Sequence, residues 1–352
     1  MTSHRTQEAL TGVLIGTAVG DALGLPMEGL SARRQRRFFS PPARHRLISH
    51  FGMISDDTEH TFMLAQTLLE EPIDPIAFQR RFARRLRWWL LCLPAGVGFA
   101  TLRAVMKLWV GVSPARSGVF SAGNGPAMRS ALLGVYFMND SEHRRDFVRA
   151  STQITHSDPK AEITALAVAE TAAWMAVARH DTEVLLGSLE HLSEGDEWQA
   201  LMKKLTIALA ENQSVAAFAQ NIGAIQGVSG YAFQTVPVAI YAALKHQDNF
   251  LTAVEEVIAC GGDTDTVGAI TGALVGTRVG VHGIPESWRN NIIEWPRSIS
   301  LLQNIAEKLG KQSEDCVSLG PVRYFWPAIL LRNIVFLVIV LGHGFRRILP
   351  PY

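Results

Sequence analysis

The stretch CGGDTDTVGAITGALVG, Cys260 to Gly276, places two aspartates, Asp263 and Asp265, between a glycine pair and a run of small apolar residues. The run, with Gly268, Ala269, Gly272 and Ala273, reads as a helix that packs closely in a core. The acids fall where that helix begins. One helix start needs one capping oxygen, so two carboxylates and two threonines in four residues exceed what capping requires. Gly261 and Gly262 give the backbone freedom to turn both acids toward one side.

Working outward, helical patterns dominate the chain. Phe78, Phe82, Leu86 and Trp89 repeat at helical spacing with arginines between them. Helices are predicted near 6–24, 57–70, 75–92, 97–110, 124–138, 141–153, 160–179, 181–191, 197–211, 235–246, 249–259, 264–279 and 298–309. Alternating strands are absent before residue 320, so the fold class is all-α. Residues 1–315 read as one compact domain and 316–352 as an apolar extension. The 352 residues are 48% hydrophobic and 18% charged, which favours a large buried core. A net charge of +1 offers no global field for nucleic acid. The three cysteines form no CxxC pair, which argues against a zinc or disulfide framework and for a reducing cytoplasm. The arginine runs at 33–46 and 80–87 read as solvated helix faces, and Trp88 and Trp89 as core.

Polar clusters precede several apolar helices: GDALGLPMEG (20–29), ISDDTEHT (54–61), SAGNGPAMR (121–129), THSDPKAE (155–162) and GGDTDT (261–266). Helix starts brought together would form a cleft that favours anions, phosphate above all. SDDT supplies Ser55, Asp56, Asp57 and Thr58; DTDT supplies Asp263, Thr264, Asp265 and Thr266. All donors are oxygens, the choice of hard cations such as Mg²⁺, Mn²⁺ or Ca²⁺. SDDT alone reads as an ordinary helix cap, and GGDTDT alone points somewhat more to function because Gly261 and Gly262 allow unusual backbone angles beside the acids; together they favour a metal site, and two ions could share a bridging aspartate. Asp21 reads as a residue that caps or orders its own loop and is not assigned to the metals. His156 and Asp158 would also suit a helix start at Pro159.

The ordered set Gly20-Asp21…Glu28, Ser55-Asp56-Asp57-Thr58, Gly123-Asn124-Gly125…Met128-Arg129, Thr155-His156…Asp158-Pro159 and Gly261-Gly262-Asp263-Thr264-Asp265-Thr266 resembles the ADP-ribosylglycohydrolases over roughly residues 8–310. The resemblance implies an all-α bundle with a central cleft holding two divalent cations, Mg²⁺ or Mn²⁺. It implies Ser55, Asp56 and Asp57 on one side of the metals and Asp263, Asp265 and Thr266 on the other. By the same likeness Glu28 and Asp56 are the catalytic candidates, and Gly123, Asn124, Gly125 and His156 hold the substrate. The implied reaction is hydrolysis at ribose C1″ of an ADP-ribosylated protein or small ADP-ribose conjugate. The alternative is a binding protein of this fold that neutralises an ADP-ribosyltransferase by occlusion. Phe120 and Ala122 make the loop before Asn124 less polar than the family's usual one.

The segment RYFWPAILLRNIVFLVIVLGHGFRRILPPY lies outside that likeness. Arg332, costing about 3 kcal/mol at a bilayer centre, nearly cancels its apolar gain as a membrane span. An interfacial anchor peripheral to a membrane, or packing on the domain or on a second subunit, is the favoured reading over a span. The β-branched content of 334–340 also permits a strand.

Overall fold

Two helices with glycine at every fourth position make the centre of the molecule. A computed structural model describes residues 3–39, 44–177, 181–315 and 317–347. The first helix, Ser3–Gly24, carries Gly12, Gly16, Gly20 and Gly24 on one face. The helix that the DTDT cluster begins, Thr264–Val279, carries Gly268, Gly272 and Gly276. Residues four apart share a helix face, so the two glycine stripes meet along their length. A Cβ added at Gly16 would lie 2.1 Å from the Gly272 carbonyl oxygen, and one at Gly20 would lie 2.0 Å from that of Gly268. No side chain fits between these backbones. Thr264 closes the stripe by donating its hydroxyl to the Gly24 carbonyl, 2.8 Å away.

The other sixteen of the eighteen α-helices among the described residues surround this pair. Ile299–Asp315 packs on the first helix, while Pro159–Ala176, Ala232–Lys245 and Phe250–Ala259 pack on Thr264–Val279. Side-chain caps set many starts: Asp74, Asp140, Asp158, Asp181, Ser214 and Asn249 each accept a hydrogen bond from a backbone N–H one turn in. Pro75 and Pro159 occupy first-turn positions, where the missing N–H costs nothing.

The predicted elements differ from the observed ones in three places. The helix expected over 124–138 is a loop through Pro126, a 3₁₀ turn Ala127–Arg129 and a short helix Ala131–Tyr136, because the glycines and proline interrupt it. Short helices at Ala32–Phe38, Pro114–Ser117, Val215–Asn221 and Glu286–Asn290 were not expected. Among the described residues one two-stranded antiparallel ladder, two residues per strand, pairs Leu30 with Gly262 and Ser31 with Gly261. Of the two tryptophans read as core, Trp89 is buried, whereas Trp88 is exposed and packs edge-on against Trp109.

The C-terminal segment folds back onto the domain. Val322 exchanges two hydrogen bonds with the Gln66 side chain, at 2.8 and 2.9 Å. The chain then forms the helix Ala328–Arg346, not a strand. Its Arg332 is buried and bidentate to Glu294 at 2.7 and 2.6 Å, reaches Glu59 at 3.2 Å, and donates to the Ile54 carbonyl at 2.6 Å. Asn333 donates to the Cys92 carbonyl at 2.8 Å. Arg332 therefore sits in a protein ion-pair network that also includes Arg297, 3.0 Å from Glu59. Removing one member of such a network leaves buried charge uncompensated, so Arg332→Ala is expected to cost about 3–5 kcal/mol in urea unfolding.

Candidate active site

The acidic clusters meet where the glycine-packed helices end. Asp21, in the last turn of the first helix, is fully buried. Its carboxylate accepts from the backbone N–H of Ser55 at 2.9 and 3.1 Å, from that of Thr58 at 3.2 Å, and from the Thr58 hydroxyl at 2.5 Å. It thus acts as a cap, but of the helix Asp56–Glu70 from a neighbouring helix and not within its own loop. Burial pushes its pKa up to about 6 against the pull of those hydrogen bonds.

Ser55 is the N-cap of Asp56–Glu70, accepting from the Asp57 N–H at 3.3 Å. Its hydroxyl also lies 3.3 Å from Asp57 Oδ2, and the Thr266 hydroxyl donates to that same oxygen at 3.2 Å. Asp57 therefore joins the two clusters across 209 residues of sequence. Its other oxygen, Oδ1, is buried with no hydrogen-bond partner among the described residues. A buried, unpartnered carboxylate oxygen is expensive and marks a place for a proton or a cation.

The neighbouring acids point the same way. Burial, then the charges of Asp21, Glu59, Glu28 and Asp263, holds the Asp56 carboxyl well above the usual carboxylate range. Asp57 is raised by burial, then by Asp21, Asp56 and Asp263. Asp265 is raised by burial, then by Glu28, Asp263, Asp57 and Asp21. Glu28 lies exposed beside Asp263, where the surrounding protein displaces much of its water. That desolvation and then Asp263 raise its pKa, while Arg347 opposes them. Among the described residues no three His, Cys, Asp or Glu side chains are already gathered into a metal cage. The acids rest instead on Ser55, Thr266 and Asn124. The donor set fits a hard divalent cation: clustered carboxylates and hydroxyls, no thiolate, one orphaned oxygen.

Backbone geometry aims these residues. Gly261 and Gly262 have φ of 78° and 87°, and a Cβ at Gly262 would meet the Val228 carbonyl oxygen at 2.0 Å. The Gly29 N–H donates to Gly262 O at 2.7 Å, so the Glu28 loop is tied to the strand just before Asp263. From the other side Arg347, following the C-terminal helix, donates to the carbonyls of Glu28 at 2.7 Å and Pro26 at 2.6 Å.

The expected substrate loops lie beside the acids. Asn124 donates from Nδ2 to Asp263 Oδ2 at 2.6 Å and to the Thr235 hydroxyl at 3.1 Å. His156 is buried against this loop: a Cβ at Gly123 or at Gly125 would lie 3.1 Å from its ring. Burial, then the charge of Arg129, pushes the His156 pKa down to about 3, so the imidazole is neutral. Arg129, not assigned a role from sequence, is fully buried. It donates to Gly125 O (3.1 Å), Ser151 O (3.0 Å) and Thr155 Oγ1 (2.9 Å), and lies 3.1 Å from His60 Nδ1. It fixes both loops from beneath. The Arg in GNGPAMR was the only hint of it, and its acceptors come from separate segments.

A family model for ADP-ribosylglycohydrolase matches residues 2–316. An uncharacterized protein of Archaeoglobus fulgidus is 31% identical, covering 86% of this chain and 96% of that protein. The ADP-ribosylhydrolase ARH3 of Mus musculus is 28% identical, over 71% of this chain and 76% of that one. A solved structure described as an ADP-ribosylglycohydrolase-related protein complex superposes with a TM-score of 0.68 at 27% identity, covering 88% of this chain and 99% of that chain. With the motifs meeting at one end of the glycine-packed helix pair, the chain belongs to the ADP-ribosylglycohydrolase family, glycosidic-bond hydrolases that release ADP-ribose from its conjugates.

Proposed function

We propose that the chain removes ADP-ribose from modified protein side chains, cleaving an N- or O-glycosidic bond at ribose C1″ with two divalent cations, Mg²⁺ or Mn²⁺. The observation that carries the metal requirement is the buried, unpartnered Oδ1 of Asp57 among carboxyls that raise one another's pKa. Ser55, Asp56 and Asp57 would hold the cations from one side, and Asp263, Asp265 and Thr266 from the other. Bound there, the cations would orient the ribose hydroxyls and supply a water of lowered pKa.

The chain's own residues then do three things. Gly123, Asn124 and Gly125, backed by neutral His156, present a tight loop to the nucleotide, with Asn124 tied to Asp263 so that loop and acids keep one register. Asp21 and Arg129 hold the helix start and loops rigid from below. Glu28 is exposed beside the acids with a raised pKa, which suits a group that passes a proton to the departing side chain. Asp56 is more enclosed and suits a metal ligand better.

The test is a panel of arginine-, serine- and other defined ADP-ribosylated proteins, each with Mg²⁺ and with Mn²⁺, scored for free ADP-ribose. Wild type is expected to release it from at least one linkage, while Asp56→Asn and Asp263→Asn release none. Full activity in both variants would sink the reading.

A further inference from the structure

The helix Ala328–Arg346 has its polarity inside out. Apart from Arg346 in its last turn, its polar side chains, Arg332, Asn333 and His343, all bond to the protein: Arg332 to Glu294, Asn333 to Cys92 O, and His343 Nε2 to Leu47 O at 2.6 Å. Its outward positions are Leu330, Leu331, Ile334, Val335, Leu337, Val338, Leu341 and Phe345, all exposed, with Leu331 at 62%, Val338 at 65% and Phe345 at 67%. At about 100° per residue these eight side chains cover an arc of roughly 160°. A surface helix of a soluble domain shows the reverse pattern. The helix also lies beyond the region matched by the family model, which stops at residue 316.

Three observations choose what covers this face. From Leu330 to Phe345 no outward side chain can make a hydrogen bond, whereas protein partners place about one per 100–200 Å² of interface. Lipid chains offer none and need none. Aromatic Phe325 and Trp326 stand exposed before the helix, with Trp295 beside Phe325 at 6.1 Å. At the other end, Arg346 is exposed, and the carbonyl of Arg347 after it accepts at 3.3 Å from Arg34 of the basic helix Ala32–Phe38, whose Arg33 and Arg36 are exposed. Aromatic and basic flanks around an apolar face are the composition of an interfacial helix on an anionic bilayer. A span is excluded, because the other face is bonded to the domain through Arg332, Asn333 and His343.

We infer that the chain docks on anionic membrane surfaces through this helix, lying in the plane of the bilayer with its apolar face in the acyl boundary and Arg33, Arg34, Arg36 and Arg346 among the headgroups. The loop of Glu28, held by Arg347, then lies at the basic end of the docked face, so the cleft mouth sits beside the headgroup layer. The inference does not depend on the hydrolytic chemistry.

Flotation of the purified full chain with phosphatidylcholine vesicles, with and without phosphatidylglycerol, tests it. The chain is expected to float with the anionic vesicles and less with the neutral ones, and added salt is expected to weaken binding. The pair Leu331→Glu and Val338→Glu, both at exposed positions, should abolish flotation with an unchanged thermal melt. Arg33→Glu with Arg36→Glu should weaken it at least about tenfold, at roughly 1 kcal/mol per basic residue near the surface. Failure of wild type to float with any vesicle overturns the inference. So does a dimer in solution that never floats and that the Glu pair splits, which would make a second copy the occupant.

Discussion

Asp57→Asn is expected to raise the stability of the metal-free protein while removing its activity. The carboxylate sits among Asp21, Asp56 and Asp263, all of which disfavour its charge, and its Oδ1 has no donor. An asparagine of the same shape can keep its oxygen toward the Ser55 and Thr266 hydroxyls and turn an N–H₂ to the acids. Relief of the repulsion and of the unmet oxygen is worth on the order of 1–3 kcal/mol in thermal or urea unfolding without divalent ions. The same change removes a central metal ligand. Loss of the several kcal/mol that bound cations supply should lower turnover on the order of a thousandfold or more. A variant that is less stable and still active would contradict the assignment.

The acids also set a pH dependence. Raised folded-state pKa values stabilise the fold at low pH, and that contribution is lost as pH rises through them. For Asp21 the window runs from 3.8 to about 6, and Asp56, Asp57 and Asp265 extend it upward. Cations compete with those protons. The rise in melting temperature on adding Mg²⁺ or Mn²⁺ should therefore be larger at neutral than at mildly acidic pH.

Gly16→Ala should be among the most damaging single-methyl changes in the chain. The new Cβ would lie 2.1 Å from Gly272 O and 2.8 Å from Gly272 C, both backbone atoms that no rotamer change can move. The two central helices would have to separate, at a cost of about 3 kcal/mol or more. Gly187→Ala, in the helix Thr182–Glu190 with nothing within 4 Å of its added Cβ, should instead gain roughly 0.5–1 kcal/mol. Because the glycine stripe brings Asp21 and Asp265 to one place, Gly16→Ala should lose activity along with stability. Equal urea midpoints for the two variants would refute the tight central pair.

The helix starts were readable because their signals are local. Asp158-Pro159 and Asp74-Pro75 cap and begin helices within two residues. The acidic stretches read equally well, since SDDT and DTDT each hold more oxygens than a cap can use. What stayed hidden depends on contacts between distant segments. The four glycines of the first helix are spaced by four in plain view, yet only their match to Gly268, Gly272 and Gly276 gives the spacing meaning. Arg332 looked like an obstacle to membrane insertion because its partners, Glu294 and Glu59, lie 38 and 273 residues away. Asp21 caps a helix 35 residues on, and Arg129 gathers acceptors from three segments, so neither role has a local signature.

The central claim is that the two acidic clusters form a divalent-metal hydrolytic centre. Its most direct test is release of free ADP-ribose from an ADP-ribosylated protein by the chelator-stripped enzyme, before and after Mg²⁺ or Mn²⁺ is restored. The account predicts no release from the stripped enzyme and recovery on adding the cation. Undiminished release by the stripped enzyme would contradict it.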